Sequence, residues 1–223
     1  MSNYNKITSG KGMNLKRHPF YWVNSFLHNI LWNNNLWNNF TLEFSKYIYI
    51  PQSLNDHRYL FNISALDLSE EKFDSLLNEL ETNVELALHS RVYINNSVYH
   101  IPMIDFRVKE MSTSTFSTLT ELSQYWNVQF MLYSSGRSYH AYGNRLLTQN
   151  EWLQFMGSLL LINKPSEAKL IDERWVGHRI MGGYASLRWS NNSSHYKKYP
   201  TYCGYITNNN VILDNNYPPI NFA

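Results

Sequence analysis

A short segment near the middle of the chain predicts a β-hairpin closed by a glycine turn. The strand-forming sequences FMLYS and YHAYG flank Gly136 and Arg137. Because strand side chains alternate between faces, Ser138, His140 and Tyr142 share one face of the second strand. A hydroxyl group and an imidazole beside a glycine turn could bind a phosphate or position a proton. An ordinary hairpin, with its histidine satisfied by a neighbour, explains the same residues, so both interpretations stay open.

Length and composition indicate a folded protein with one large domain, or with one domain and a smaller attached lobe. The chain has 223 residues and a mass of 26.4 kDa, with 43% hydrophobic and 16% aromatic residues. These fractions are typical of globular rather than disordered proteins. No apolar run in the sequence approaches the roughly twenty residues that a membrane-spanning helix needs. We therefore expect no association with a membrane.

Charge and cysteine content narrow the function classes further. The net charge of +2 and the pI near 8.5 are too close to neutrality to indicate a nucleic-acid partner by themselves. Cys203 is the only cysteine, which excludes an internal disulfide and a cysteine-ligated zinc site. The N-terminal sequence lacks the apolar segment of a signal peptide, so we expect a reduced, cytoplasmic location.

Strand and helix patterns alternate along the chain and predict an α/β or α+β fold around a central mixed sheet. We expect a flexible tail over residues 1–17 and a single domain over residues 18–223. Within that domain, residues 18–97 would supply N-terminal helices and strands, and residues 98–205 would form the core. The predicted helices are 19–37, 69–90, 114–126, 149–162 and 171–183, and the predicted strands include 41–50, 56–66, a hairpin over 91–108 and the two strands around Gly136.

Two aspartates occupy positions where a carboxylate has more than one explanation. Asp105 lies in the apolar strand HIPMIDFRV, and it needs a partner because an unpaired buried charge is costly. Arg107, on the same strand face, could form an ion pair with it; alternatively, Asp105 is a metal ligand or a general base. Asp172 begins the predicted helix IDERWVGHRI, where capping of the helix N-terminus would account for it.

Basic residues follow these aspartates towards the C-terminus, namely Arg179, Arg188, His195, Lys197 and Lys198. Arginine recognises phosphate through two parallel hydrogen bonds, so this set could hold a triphosphate. Solvated surface charge is the alternative explanation.

The order of these residues resembles the catalytic core of the archaeo-eukaryotic primase superfamily, the primase-polymerases. The first motif of that family is Asp-x-Asp or Asp-x-Glu, the second is Ser-x-His, and the third is an apolar residue followed by Asp. The Ser-Tyr-His sequence at 138–140 matches the second motif, and Ile171-Asp172 matches the third. The stretch DERWVGHRIMGGYASLRWS is similar to the segment after the third motif. The resemblance covers about residues 98–200.

The resemblance implies a central sheet of RNA-recognition-fold type flanked by helices, and a nucleotidyltransferase activity that makes a primer or extends a strand. It also implies Mg²⁺ or Mn²⁺ as cofactor, held by Asp105 and Asp172. The implied partners are a nucleoside triphosphate and a nucleic-acid template or primer. The implied catalytic residues are Asp105, His140 and Asp172, and the implied nucleotide-binding residues are Ser138, His140, Arg137, Arg179 and Arg188.

The first motif departs from the family pattern. Asp105-Phe106-Arg107 supplies one carboxylate where the family has two, and a guanidinium at the second position would repel a cation. Glu110 or Asp67 could complete the site from a neighbouring element; otherwise the protein keeps a nucleotide pocket and loses templated synthesis wholly or largely. Two rival functions remain: a non-catalytic module that binds nucleotide or single-stranded nucleic acid, and a structural or interaction protein with no active site.

Overall fold

The computed structural model describes residues 13–34, 40–196, 198–214, 216 and 218. The helices are α1 (Pro19–Asn34), α2 (Glu70–Asn78), α3 (Thr113–Trp126), α4 (Gln149–Leu161) and α5 (Glu173–Gly182). The strands are β1 (Phe40–Tyr47), β2 (Arg58–Ser64), β3 (Glu85–Ile94), β4 (Ser97–His100), β5 (Met103–Asp105), β6 (Phe130–Ser134), β7 (Tyr139–Gly143), β8 (Leu147–Thr148), β9 (Ser186–Arg188), β10 (Thr201–Ile206) and β11 (Val211–Leu213). In this part of the chain, no helix is both long enough and apolar enough to cross a bilayer.

The first sheet combines the N-terminal strands with two strands from later in the chain. Its order is β2-β1-β3-β4-β8, and β9 pairs with β3 beside this path. Every pairing in it is antiparallel. The pairing of β9 with β3 places Arg188 opposite Ala87, which brings a residue from beyond helix α5 into the N-terminal sheet.

The second sheet has the order β11-β10-β6-β7-β5, and its pairings are also antiparallel. Helix α3 connects β5 to β6, and β7 lies between these two strands, which gives a split β-α-β unit of the kind expected for an RNA-recognition-type sheet. The α+β class is thus confirmed. The described strands form two antiparallel sheets and not the single mixed sheet that we expected. In the second sheet β5 and β6 run in the same direction, but they do not pair with each other because β7 lies between them.

The helix predicted over residues 69–90 is shorter in the structure, because its second half is a strand. Ser69 caps α2 as expected, its side chain accepting a hydrogen bond from the amide of Lys72. The segment from Glu85 onwards forms β3, which is buried at eight of its ten positions and pairs with three other strands. A strand buried on both faces loses its alternating pattern, and a run of apolar residues then resembles a helix face.

Helix α1 and the residues before it pack into the hydrophobic core. Its apolar residues Phe20, Val23, Leu27 and Leu31 are buried, whereas residues 35–37 of the predicted helix lie outside the described residues. Residues 1–12 of the expected flexible tail also lie outside them. From residue 13 onwards that segment is packed, with Met13 and Leu15 buried in the core and Leu15–Arg17 forming a short 3₁₀ helix.

Both termini of helix α5 follow the expected capping chemistry. Asp172 is its N-cap, and Gly183 ends it in a left-handed conformation with φ of 73°, which glycine adopts without steric cost. At the N-terminal end, Phe106 and Ile171 form an antiparallel bridge. The end of β5 and the start of α5 are therefore neighbours, although they are far apart in sequence.

Candidate functional site

A cleft of about 440 Å³ is lined by residues from both sheets and from helix α5. Four segments contribute most of its walls: the end of β1 with the loop after it, the end of β5, the turn before β7, and α5 with β9. All seven site residues proposed from the sequence line this cleft, namely Asp105, Arg137, Ser138, His140, Asp172, Arg179 and Arg188. The structure therefore brings together residues that span more than eighty positions in the chain.

The two aspartates lie side by side at one edge of the cleft. The amide of Asp172 donates a hydrogen bond to the carbonyl of Asp105 at 3.2 Å, beside the Phe106–Ile171 bridge. Burial, together with the negative charge of Asp172, raises the pKa of Asp105 to about 7, and this outweighs the opposing effect of Arg188 and Arg179. The Asp105 carboxyl group thus lies in an environment that disfavours its ionised form.

The Asp172 carboxylate is already engaged in capping helix α5. Its Oδ1 accepts hydrogen bonds from the amides of Arg174 at 3.0 Å and Trp175 at 3.2 Å. Capping of this kind stabilises the helix by about 1 kcal/mol and uses one of the two carboxylate oxygens.

Ser138 and His140 enter the cleft from the second strand of the predicted hairpin, which the structure confirms as β6 and β7. His140 pairs with Asp105 across β5 and β7, and its Nε2 lies 3.7 Å from Asp105 Oδ1, too far for a good hydrogen bond. His140 is 6% exposed, and its Nδ1 has no hydrogen-bond partner among the described residues. The Ser138 hydroxyl lies 3.2 Å from that of Ser135.

The protonation state of His140 follows from its surroundings. Burial, and then the positive charge of Arg188, holds its pKa well below the usual 6.5. Its imidazole is consequently neutral at physiological pH and can donate from one ring nitrogen and accept at the other.

Arg188 is a buried cation without an acidic partner. Its side chain is 4% exposed, lies over the ring of Tyr196 at 4.0 Å, and forms no ion pair among the described residues. Its guanidinium donates to the carbonyls of Ser135 at 2.8 Å, Lys198 at 3.2 Å and Ser190, while Nε has no partner. A desolvated guanidinium held only by neutral groups favours an anionic ligand.

Arg179, in contrast, has an acidic partner that the sequence did not indicate. It bonds to Asp56, which also pairs with Arg58 at 2.8 Å, and to the hydroxyl of Ser186 at 2.6 Å. Although burial opposes ionisation of Asp56, the two arginines lower its pKa to about 2. Asp56 and Arg58 belong to the wall formed by the β1–β2 connection, and no motif marks them because Asp56 and Arg179 lie 123 positions apart.

Arg137 lies in the glycine turn at the mouth of the cleft. It is exposed and bonds to His195 Nε2, and the His195 ring packs against Tyr49 with centroids 4.3 Å apart. This contact joins three segments that are distant in sequence. Of the other basic residues proposed from the sequence, Lys198 contributes its carbonyl to Arg188, and Lys197 lies outside the described residues.

The sequence of the chain is similar to that of a known protein family. Residues 64–201, more than half of the chain, match the family described as AEP-like, archaeo-eukaryotic primase 1D-like. The chain belongs to this archaeo-eukaryotic primase-like family. No curated protein and no solved structure matches it significantly. The family match begins after β1 and the loop that carries Asp56 and Arg58, so this wall of the cleft lies outside it.

Positive charge predominates in the cleft of this primase-like domain. Its basic side chains are Arg58, Arg107, Lys109, Arg137, Arg174, Arg179 and Arg188, and its carboxylates are Asp56, Asp105 and Asp172. When all three carboxylates are ionised, seven cations against three anions leave an excess of four positive charges. A concave surface of this sign attracts phosphate groups.

The residues of the cleft do not fit a two-metal centre of the kind that primase-polymerases use. Within the described residues, no group of three or more histidine, cysteine or acidic side chains could hold a metal ion. Glu110 and Asp67 are both exposed and neither lines the cleft, so neither supplies the missing carboxylate. Arg107 lines the cleft, and it forms no ion pair with Asp105, contrary to one interpretation of the sequence.

Proposed function

We propose that this primase-like domain binds a nucleoside triphosphate in the cleft and that templated synthesis is weakened or lost. The observation that carries this proposal is Arg188, a buried guanidinium at the wall of a cleft rich in positive charge, which has no carboxylate partner in the part of the chain that the structure describes. Phosphate oxygens would supply the negative charge that the protein itself does not provide there. The family membership supports a nucleotide rather than another phosphorylated ligand.

Each motif residue has a role in this proposal. The Ser138 hydroxyl and the neutral His140 imidazole would donate to phosphate oxygens, and Arg188, which donates to the carbonyl of the nearby Ser135, would bind them beside these two residues. Arg137, at the mouth of the cleft, would bind the outer end of the triphosphate and would release His195 on doing so. Arg179 would act through its pair with Asp56, which fixes the guanidinium beside β9.

A single-stranded nucleic acid, as template or primer, is the proposed second partner. Single strands bind where basic residues contact the backbone and aromatic rings stack on bases. The exposed ring of Tyr49 lies in the cleft wall formed by the loop after β1, and the exposed ring of Tyr59 lies on strand β2. Arg174 and Lys109 line the same cleft. The partner would therefore extend from the cleft across this wall.

Loss of synthesis follows from the acidic residues that are present. Nucleotidyl transfer in this family relies on cations that bridge several carboxylates, and the cleft presents Asp105 and Asp172 where three would be needed. One oxygen of Asp172 is committed to the helix cap. If a cation were bound at all, Asp105 and Asp172 would hold it.

Titration calorimetry with ATP tests the binding proposal. Wild-type protein should bind, and His140→Ala should bind about tenfold more weakly, because one hydrogen bond from a buried imidazole is lost. His28→Ala is the matched control, since His28 lies on α1 and does not line the cleft. Equal affinity of His140→Ala and wild type would remove His140 from the nucleotide site.

A primer-synthesis assay with Mn²⁺ and labelled nucleotides tests the proposed loss of catalysis. We expect incorporation to be absent or to reach only trace levels under conditions in which an active primase makes primers. Incorporation at a rate comparable to that of the active primase would show that the two aspartates suffice. That result would contradict the loss of synthesis while leaving nucleotide binding intact.

A further inference from the structure

We propose, on the basis of the nucleotide-binding function above, that the cleft binds the triphosphate without a divalent cation. In this proposal, guanidinium groups of the protein supply the positive charge that Mg²⁺ or Mn²⁺ supplies in related enzymes. Arg107 stands at the position of the missing carboxylate, and its guanidinium would take the place of a metal ion there. The ligand is accordingly the free, fully ionised nucleoside triphosphate rather than its magnesium complex.

The charge balance of the cleft favours the free nucleotide. The excess of four positive charges among its side chains matches the roughly four negative charges of a fully ionised triphosphate. The magnesium complex carries about two negative charges and would leave about two positive charges of the protein uncompensated. In a concave, partly desolvated site such an imbalance is costly, because the charges are poorly screened.

The position of Arg107 supports the exchange of a cation for a guanidinium. Its amide bonds to the carbonyl of Leu170 at 2.9 Å, which fixes the backbone next to the Phe106–Ile171 bridge. Its side chain is exposed and lines the cleft, and it pairs with neither Asp105 nor Asp172 among the described residues. The guanidinium is thus available to a phosphate oxygen at the place where the family has a metal ligand.

The carboxylates that remain offer a poor site for a cation. Asp172 uses Oδ1 to cap α5, and in the described part of the chain the two aspartates belong to no group of three or more acidic, histidine or cysteine side chains that could hold a metal ion. Mg²⁺ in nucleotide sites is held by one or two carboxylates together with phosphate oxygens and waters. Here one carboxylate oxygen of Asp172 caps α5, and Arg107 and Arg188 line the same cleft and would repel a cation beside the two aspartates.

Calorimetric titration with ATP in EDTA, and then with excess Mg²⁺, tests this inference. We expect affinity in EDTA to be at least equal to that with Mg²⁺, and about threefold to tenfold higher given the charge balance. Binding that occurs only with Mg²⁺ would overturn the metal-free inference and leave the proposed nucleotide-binding function standing. Absence of binding in both conditions would overturn both.

Two substitutions of Arg107 distinguish the effect of removing its positive charge from the effect of adding a carboxylate that can bind a metal ion. Arg107→Asp restores the second carboxylate, and we expect it to weaken ATP binding in EDTA about tenfold and to make binding depend on Mg²⁺. Arg107→Gln removes the charge only and should weaken ATP binding in EDTA by about threefold without creating a dependence on metal. Because Arg107 is exposed, both variants should fold, which circular dichroism would verify.

Electron paramagnetic resonance of Mn²⁺ provides a readout that does not depend on nucleotide. Arg107→Asp should reduce the free Mn²⁺ signal on titration, whereas wild type and Arg107→Gln should leave it unchanged. Tight Mn²⁺ binding by wild type would contradict the inference directly. Failure of Arg107→Asp to bind Mn²⁺, with ATP affinity in EDTA unchanged, would show that residue 107 does not face the phosphates.

Discussion

Replacing Arg188 by methionine should lower the affinity for ATP about 100-fold, equivalent to about 2.7 kcal/mol of binding free energy. Charge-assisted hydrogen bonds from a buried guanidinium to phosphate are among the strongest in proteins, and Arg188 is the buried cation of the cleft that has no acidic partner among the described residues. Methionine keeps much of the volume and removes the charge. Calorimetric titration of both proteins measures the effect.

Two further variants show whether the effect of Arg188→Met is specific. Arg188→Lys retains the charge but not the planar fork, so we expect an intermediate loss of about tenfold. Arg91→Met is the matched control, because Arg91 lies on the same sheet, bonds to Glu43 and the end of α5, and does not line the cleft. It should leave ATP affinity unchanged.

The Arg188 variants also require a check on stability. Methionine leaves the carbonyls of Ser135, Ser190 and Lys198 without their donor, at a cost of about 1–3 kcal/mol for a buried group left unpaired. Denaturant unfolding identifies this cost separately from binding. A folded Arg188→Met protein with wild-type affinity would remove Arg188 from the nucleotide site and, with it, the main support for the proposed function.

Much of the motif half of the cleft could be predicted from sequence, because local chemistry determines it. The hairpin around Gly136 and the cap at Asp172 each depend on residues within a few positions of one another. Strand alternation then places His140 on one face, and antiparallel pairing sets it opposite Asp105. The order of the three motifs along the chain then indicated that Asp172 belongs to the same site as Asp105 and His140.

The other half of the cleft could not be predicted, because it depends on contacts between distant segments. Asp56 and Arg58 enter the site only because β9 pairs with β3 and helix α5 packs beside the β1–β2 connection. No spacing of residues along the sequence indicates such a contact. The same tertiary pairing makes residues from Glu85 onwards a central strand, although their apolar residues also suit a helix.

The replacement of Asp105 by asparagine should stabilise the protein at about pH 8 by about 2–4 kcal/mol and should have little effect near pH 4. Burial raises the pKa of Asp105 from 3.8 to about 7. Below the lower value the carboxyl group is protonated in both the folded and the unfolded chain, so it imposes no penalty. As pH rises, the unfolded chain releases its proton first, and the folded protein loses stability until Asp105 ionises at about pH 7.

Asparagine removes that penalty, because it cannot ionise and has nearly the same shape. Denaturant unfolding of wild type and Asp105→Asn at both pH values measures the difference in free energy. Asp56→Asn is a control of opposite sign: Arg58 and Arg179 lower the pKa of Asp56 to about 2 despite its partial burial, so its charge stabilises the folded state above pH 3.8. Because Asp56 is exposed and solvent screens its ion pairs, we expect Asp56→Asn to destabilise the protein by only about 1 kcal/mol at about pH 8.

The outcome for Asp105 also bears on its role in the cleft. A variant that gains stability at high pH would mean that wild type retains a destabilising carboxylate at this position, a common property of residues kept for function rather than for folding. A variant that is less stable than wild type at about pH 8 would instead mean that neighbouring cations stabilise the ionised form. In that case Arg188 and Arg179 would already be compensated by Asp105 in the free protein, and the cleft would have less positive charge to offer a triphosphate.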